Sequence, residues 1–441
     1  MWGIGDGLVA DSCYERTVAA IAVSTHVLED SFNCTRKGKG NSVKITNIRL
    51  RELTGVIQHP DGPFWEERLM RPVDIYPEYH DEQHTEWQPI AAGDTESTIV
   101  LTFIEIETDE GVTGVGGPLT REVATLIHTG FREFLVGHDP LATERLWDIM
   151  YRHGVHSRKG TPMFAISTID AALWDLRGKY LNQPVHVLLG GPVRTKLPAY
   201  ASMLGFSLEP DRLEERASAF AARGYTAQKW FPRWGPMEGR EGIRKNIELM
   251  EILRASAGPE SDIMIDAWMS WNVPYTLDMA QRLKPYDPRW LEEPVLPDKI
   301  AQYAEIRAKS VVQISGGEHE YTRYGIKALL DARAVDLMQA DTYWAGGISE
   351  MVKICTLCSA YDVPIVPHGH SVPANVQLSA ALSPVDVPYV EFLVKWNDIL
   401  QFFYKNPVVP VDGYVTVPTG PGMGVEIDES KIASEREFSV D

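Results

Sequence analysis

Short apolar runs that each end on a polar or charged residue recur through the second half of the chain at nearly constant spacing. This rhythm constrains the fold more than any other feature. The runs are AQKW with Lys229, DIMID ending at Asp266, RWLEE at Glu292 and Glu293, VVQISGGE at Glu318, VDLMQAD at Asp341, VPIVPH at His368 and PYVEF with Glu391. From Asp266 onward the marked residues follow one another at intervals of 23 to 27 residues, the length of one strand and its returning helix. With LPAYAS as an earlier strand the count is eight, that of a closed (β/α)8 barrel of the α/β class. Functional groups of such barrels sit at the carboxyl ends of the strands, so these residues are expected at one mouth. An open doubly wound sheet is the weaker alternative, because no phosphate-binding glycine fingerprint follows a first strand.

Asp266, Glu292 and Glu318 come from three successive strand ends. Three carboxylates gathered in a partly dry mouth would not all stay ionised without a cation. Ligands that are all oxygen suit Mg²⁺ better than zinc, which prefers nitrogen and sulfur. A single Asp at a strand end more often caps a helix; the regular spacing sets these three apart. Glu293 reads as a solvated or ion-paired neighbour. Asp341 and His368 end adjacent strands, where a carboxylate can fix the imidazole tautomer and raise the basicity of the other ring nitrogen. Lys229, across the mouth from His368, is placed to meet an anionic substrate, with Arg233 beside it. These cations matter because the formal net charge is −19 over 441 residues. That charge disfavours nucleic acid and anionic membrane surfaces as partners.

Nothing reaches the roughly 18 consecutive apolar residues of a membrane span. The N-terminal stretch carries acidic residues ahead of its apolar part and lacks a basic leader, which argues against a signal peptide. Four cysteines are too few for a disulfide framework in a chain this long, so a cytoplasmic location is expected. Cys355 and Cys358 share the apolar face of a helical pattern, and packing explains them better than redox or zinc chemistry. Residues 1–43 end in the polar, Gly/Lys-rich NCTRKGKGNS and read as an extension or linker. VKITNIRLREL alternates as a strand, and STIVLTFIEIETDEGVTGVGG reads as two strands joined at a D-E-G turn. Between them, roughly residues 57 to 95, lies a long loop with His59, Trp65, His80, His84 and Trp87, expected to be functional. FAISTIDAALWDLRGKYL reads as an amphipathic helix.

The order Lys, Asp, Glu, Glu, Asp, His, Glu on successive strands resembles the enolase superfamily, mandelate racemase branch, from residue 44 to about 430. The segments STIDAALWDLRGKYL, LLGGPVR, GIRK, IDAWMSW, SGGEHE, WAGGIS and VPHGHS, and the loop EYHDEQHTEW, are most similar to its acid-sugar dehydratases of the L-rhamnonate type. The resemblance implies an α+β capping domain over residues 44–180, a catalytic barrel over 181–395 and a segment, 396–441, that returns to the cap; a homo-oligomer is expected. It implies one Mg²⁺ on Asp266, Glu292 and Glu318, and removal of a proton α to a carboxylate. Many members carry K-x-K on the second strand, the second lysine being a base that faces the histidine. Here the run is Lys229-Trp230-Phe231, and Phe231 accepts no proton. His368 is then the single base and also the acid, Asp341 its partner, and the outcome dehydration of an aldonate to a 2-keto-3-deoxy acid. Glu391 is expected to donate a hydrogen bond to the substrate carboxylate. His319, His80 and His84 are expected to contact substrate. A racemase, epimerase or cycloisomerase on the same scaffold is the alternative.

Overall fold

In the computed structural model, which describes residues 43–60, 63–79, 95–440 and the backbone of 90–91, the alternation in VKITNIRLREL is realised as a 14-residue strand, β1 (Ile45–Gln58). It buries Ile45, Ile48, Leu50 and Leu53. β1 pairs antiparallel with β3 (Glu96–Thr108), from Asn47 opposite Glu107 to Gln58 opposite Glu96. The D-E-G turn, with Gly111 at φ +75°, then leads into β4 (Thr113–Leu119) on the other side of β3. The span expected as one long loop is partly structured. β1 extends into it, β2 (Ile90–Ala91) pairs with β3, and short 3-10 turns occur at Pro72–Ile75 and Pro77–Tyr79. From the far end of the chain, β13 (Ser434–Glu437) joins the free side of β1, where Arg51 pairs with Glu105, Glu429 and Glu435.

The helix Thr161–Leu181 differs from the expected amphipathic one, since 14 of its residues are buried and they lie all around it. It is covered on two sides. On one, β4 brings glycines where no side chain fits: a Cβ at Gly114 would lie 2.2 Å from Ala172 O, and one at Gly116 2.8 Å from Thr168 O. On the other, Asp170 accepts from Ser349 N (2.9 Å) and Ser349 Oγ (2.6 Å) of the helix Gly347–Ala360. Ser167 Oγ accepts from Gly346 N, and Trp147 Nε1 donates to Gly346 O. The polar groups in this helix thus serve to join the capping layer to the turn that follows Asp341.

The second sheet is parallel and curls into a barrel. Its strands are β5 (Lys196–Ser202), β6 (Ala227–Trp230), β7 (Asp262–Asp266), β8 (Pro288–Glu292), β9 (Gln313–Gly316), β10 (Leu337–Met338) and β11 (Val390–Leu393). They pair in sequence order, and β11 returns to pair with β5; β12 (Tyr414–Thr416) lies antiparallel on β5. The expected seventh barrel strand is reduced to one bridge, Ile365 with Met338. Pro364 and Pro367 flank it, and each lacks the N–H a ladder needs. Inside the barrel, Tyr200, Ala227, Met264, Trp290, Leu337 and Val366 form a packed floor. Two residues further along their strands, on the same inward face, come Ser202, Lys229, Asp266 and Glu292. Cys355 and Cys358 are free thiols in the apolar core. Among the described residues no helix is long and apolar enough to cross a membrane.

Gly347 sits at φ +80°, where an added Cβ would lie 2.4 Å from Asp170 Oδ2. Gly111 also has positive φ, but open space around it. Gly111→Ala is expected to cost about 1 kcal/mol of backbone strain. Gly347→Ala should add an overpacking penalty of about 1–3 kcal/mol and displace the turn after Asp341. Urea unfolding of the two variants, with activity measured alongside, checks the difference.

Candidate active site

Register places the first two acids side by side. Asp266 and Glu292 are paired residues at the ends of β7 and β8, so both side chains leave the sheet at one level. Glu318 lies two residues beyond β9, on the loop that Gly317 opens at φ +109°. Asp341 and His368 likewise lie beyond their strands, on the loops above them. Asp266, Glu292 and Glu318 are all 2% exposed or less and each offers an oxygen within 4.8 Å of the others. Asp266 Oδ1 accepts from Trp268 N at 2.9 Å, and Glu292 Oε2 from the Trp290 indole N–H at 2.9 Å. Glu318 Oε2 is buried without a hydrogen-bond partner. A hard divalent cation fits this donor set: three carboxylates, oxygen only, one oxygen otherwise unsatisfied.

Lys229 Nζ lies 3.0 Å from Asp266 Oδ2 and 2.8 Å from Glu391 Oε1, and it donates to Glu292 Oε1. Burial acts to lower its pKa, but Glu292, Glu391 and Asp266 outweigh burial and hold the ammonium well above its usual range. Phe231 covers it, with the ring centroid 5.2 Å from Nζ. Glu391 is engaged at both oxygens. Its Oε2 accepts from Gly369 N at 2.9 Å and its other oxygen faces Lys229. Burial raises its pKa, yet Lys229 and His368 prevail and keep it below the usual value, which favours the ionised form.

The dyad is in place: His368 Nδ1 is 2.8 Å from Asp341 Oδ2, and Asp341 Oδ1 accepts from Tyr343 N and Trp344 N. Nε2 points toward the carboxylates, 3.6 Å from Glu318 Oε2. Burial opposes protonation of His368, but Glu318, Asp341 and Glu391 carry its pKa up to about 9. His319 Nδ1 meets Glu293 Oε2 at 2.7 Å, and the pair is tight: burial is offset by Glu293, which raises His319 to about 9. Glu293 is 1% exposed, so it is ion-paired and not solvated. Burial lifts Glu318 to about 7 and Glu292 well above the carboxylate range.

Trp344 was not anticipated, although it stands three residues after Asp341 in the same turn. Its ring lies 4.8 Å from that of His368 and 5.5 Å from that of His319. His370, two residues past His368, packs on Trp344 and Trp396 and is kept neutral by burial, near 4. Arg233 is not brought to the carboxylates; it pairs with Glu67 at 3.3 Å. His80 and His84 lie outside the described residues. From the segment after β1, Trp65 and Leu69 pack with Leu204, Phe231, Leu393 and Trp396 above the strand ends. Lys395 secures that segment, donating to Phe64 O (2.6 Å), Gly205 O (2.9 Å) and Glu66 Oε1 (3.2 Å).

The Enolase C-terminal domain-like family matches residues 212–431, and the Mandelate racemase / muconate lactonizing enzyme, N-terminal domain family matches 80–190. The L-rhamnonate dehydratase of Saccharopolyspora erythraea is 33% identical over 400 residues, 88% of this chain and 97% of that one. The chain belongs to the mandelate racemase branch of the enolase superfamily. The D-galactarolactone cycloisomerase of Agrobacterium fabrum is 33% identical over 351 residues, 76% of this chain and 90% of that protein. The crystal structure of rhamnonate dehydratase from Gibberella zeae complexed with Mg has a TM-score of 0.75 and 29% identity, covering 90% of this chain and 97% of that one.

The electrostatics set the sign of one measurement. His319 and His368 have folded pKa values of about 9 against 6.5 when unfolded. Their contribution is full below about pH 6.5 and lost as pH rises through 9. His370, lowered to about 4, acts in the opposite sense but only below 6.5. The Tm of EDTA-treated protein is therefore expected to fall between about pH 7 and pH 9, followed by differential scanning calorimetry. A flat or rising Tm contradicts these pairings.

Proposed function

We propose that the protein is a Mg²⁺-dependent dehydratase of an acid sugar, an aldonate of the L-rhamnonate kind, giving a 2-keto-3-deoxy acid. The observation that carries this reading is the His368–Asp341 pair: Nδ1 is fixed at 2.8 Å while Nε2 faces the carboxylate cluster. The relatives named L-rhamnonate dehydratase support the reaction and the substrate class. The division into capping residues 44–180, barrel residues 181–395 and a returning segment 396–441 is part of the same reading, as is a cytoplasmic homo-oligomer.

Asp266, Glu292 and Glu318 would hold Mg²⁺, which when bound supplies Lewis-acid stabilisation of negative charge on the substrate carboxylate. His368, neutral once a bound cation offsets the carboxylates that raise its pKa, would take the α-proton at Nε2, leaving an enediolate. Asp341 keeps Nδ1 protonated and stabilises the imidazolium so formed. The same imidazolium then returns its proton to the departing β-hydroxyl, which leaves as water, and the enol product becomes the 2-keto acid. One base suffices where the α-proton and the β-hydroxyl lie on the same side of the substrate. Phe231, on the strand opposite, offers no second base. Lys229 would meet the substrate carboxylate, with Glu391 anchoring the ammonium and not donating. His319, held by Glu293, is placed to contact substrate oxygens. Trp65, Leu69 and Trp344 exclude water from the site, and Arg233, His80 and His84 are further proposed substrate contacts.

The 33% identical cycloisomerase favours a second reading, lactone isomerisation by the same histidine. Product structure separates the two: dehydration loses the β-hydroxyl, whereas cycloisomerisation conserves composition.

Two outcomes test the mechanism. EDTA should abolish turnover and Mg²⁺ should restore it, with Glu292→Gln folded but unable to be restored. Activity in rigorously metal-free protein contradicts the reading. His368→Asn should lower kcat by about 10³-fold or more and, by NMR in D₂O, should also stop α-proton exchange. Persistent exchange in that variant would reveal a second base and shift the reaction toward racemisation or epimerisation.

A further inference from the structure

Lys229 has three N–H donors, and three buried carboxylates surround its Nζ: Glu292 Oε1, to which it donates, Glu391 Oε1 at 2.8 Å and Asp266 Oδ2 at 3.0 Å. Two of these three belong to the acids that would hold the metal, while Glu391 stands apart from them. The ammonium is 0% exposed and roofed by Phe231. We infer that Lys229 is an exchangeable counter-ion of the metal site, competing with the divalent cation for Asp266 and Glu292. The inference rests on the proposed Mg²⁺ site and deepens it.

The physical argument is one of charge in a dry place. Buried carboxylates that lose their partner are strongly destabilising, so a fixed cation beside Asp266 and Glu292 protects the fold when no metal is bound. The same fixed charge repels a divalent ion seated a few ångströms away, at short range and with little screening. Stability without metal is thereby exchanged against metal affinity. Glu391 decides how far the exchange goes. It attracts Lys229 from the β11 side, opposing the pull of Asp266 and Glu292, and Gly369 N donates to its other oxygen at 2.9 Å. As the cation takes up Asp266 and Glu292, the lysine keeps Glu391 as its partner, and two of its N–H groups become free for a substrate carboxylate. Metal and anionic substrate are thus coupled through one side chain: the metal loads first and readies the lysine.

The experiment is a titration of full-length protein with Mn²⁺ followed by electron paramagnetic resonance, repeated with Mg²⁺ by calorimetry, with thermal unfolding in EDTA alongside. Lys229→Met should bind Mn²⁺ on the order of tenfold more tightly than wild type. It should also melt at lower temperature in EDTA and gain more from added Mg²⁺. Glu391→Gln, nearly isosteric, should bind Mn²⁺ several-fold more weakly, because Lys229 then falls entirely on Asp266 and Glu292. If Lys229→Met does not fold without metal, the Glu391→Gln titration carries the test. Equal or weaker Mn²⁺ binding by Lys229→Met, or unchanged or tighter binding by Glu391→Gln, overturns the inference and makes Lys229 a scaffold for the ligands. Wild-type protein that binds neither ion would instead remove the metal site itself.

Discussion

Five buried carboxylates, Asp266, Glu292, Glu293, Glu318 and Glu391, crowd the mouth of one barrel, and their mutual repulsion is the constraint to which the surroundings answer. Each is assigned a partner. Glu293 takes His319, Glu391 and Glu292 share Lys229, and Asp266 receives Lys229 together with a backbone amide. Glu318 Oε2 has no hydrogen bond, and that oxygen faces His368. The unsatisfied oxygen and the nearby imidazole nitrogen mark where a cation and the reacting part of a substrate would sit. Charge neutralisation and catalytic geometry are therefore one arrangement. A change that relieves the repulsion, such as neutralising Glu292, removes the means of binding metal.

The capping layer is joined to this chemistry by specific bonds and not by general burial. The helix Thr161–Leu181 holds the turn after Asp341 through Ser167, Asp170 and Trp174, the last donating to Ser349 Oγ. Lys395 holds the segment after β1 over the strand ends. One attachment fixes the turn beside the His368–Asp341 pair, and the other packs Trp65 and Leu69 over the strand ends. A polar residue buried in either attachment is there to satisfy backbone groups that have left regular structure.

Much of this is written in the sequence because a βα unit has a nearly fixed length. The 23-to-27-residue rhythm locates Asp266, Glu292, Glu318, Asp341, His368 and Glu391 without any knowledge of packing, and it gives the barrel. What the rhythm does not carry is register and reach. That Asp266 and Glu292 stand at one level, and that the long Lys229 side chain meets both, follows from how β6, β7 and β8 align. The lysine partner of Glu391 was not legible for the same reason, since nothing local to β11 shows the lysine across the barrel. Glu293 reads as a solvated or ion-paired neighbour because adjacent residues of a strand face opposite ways; at φ +39° it is buried and paired with His319. The prolines of VPIVPH, by contrast, were a local and legible sign that the seventh strand would not form a ladder.

The central claim is that a single imidazole, poised over a carboxylate-held cation, removes an α-proton and expels a β-hydroxyl. The most direct test is to incubate the Mg²⁺-loaded protein with a stereochemically complete library of aldonates and to detect 2-keto acids as semicarbazones. The account predicts a 2-keto-3-deoxy acid from one stereochemical series that includes the configuration of L-rhamnonate, and none after chelation of the metal. Turnover that keeps every hydroxyl group, or keto-acid formation that survives chelation, would contradict it.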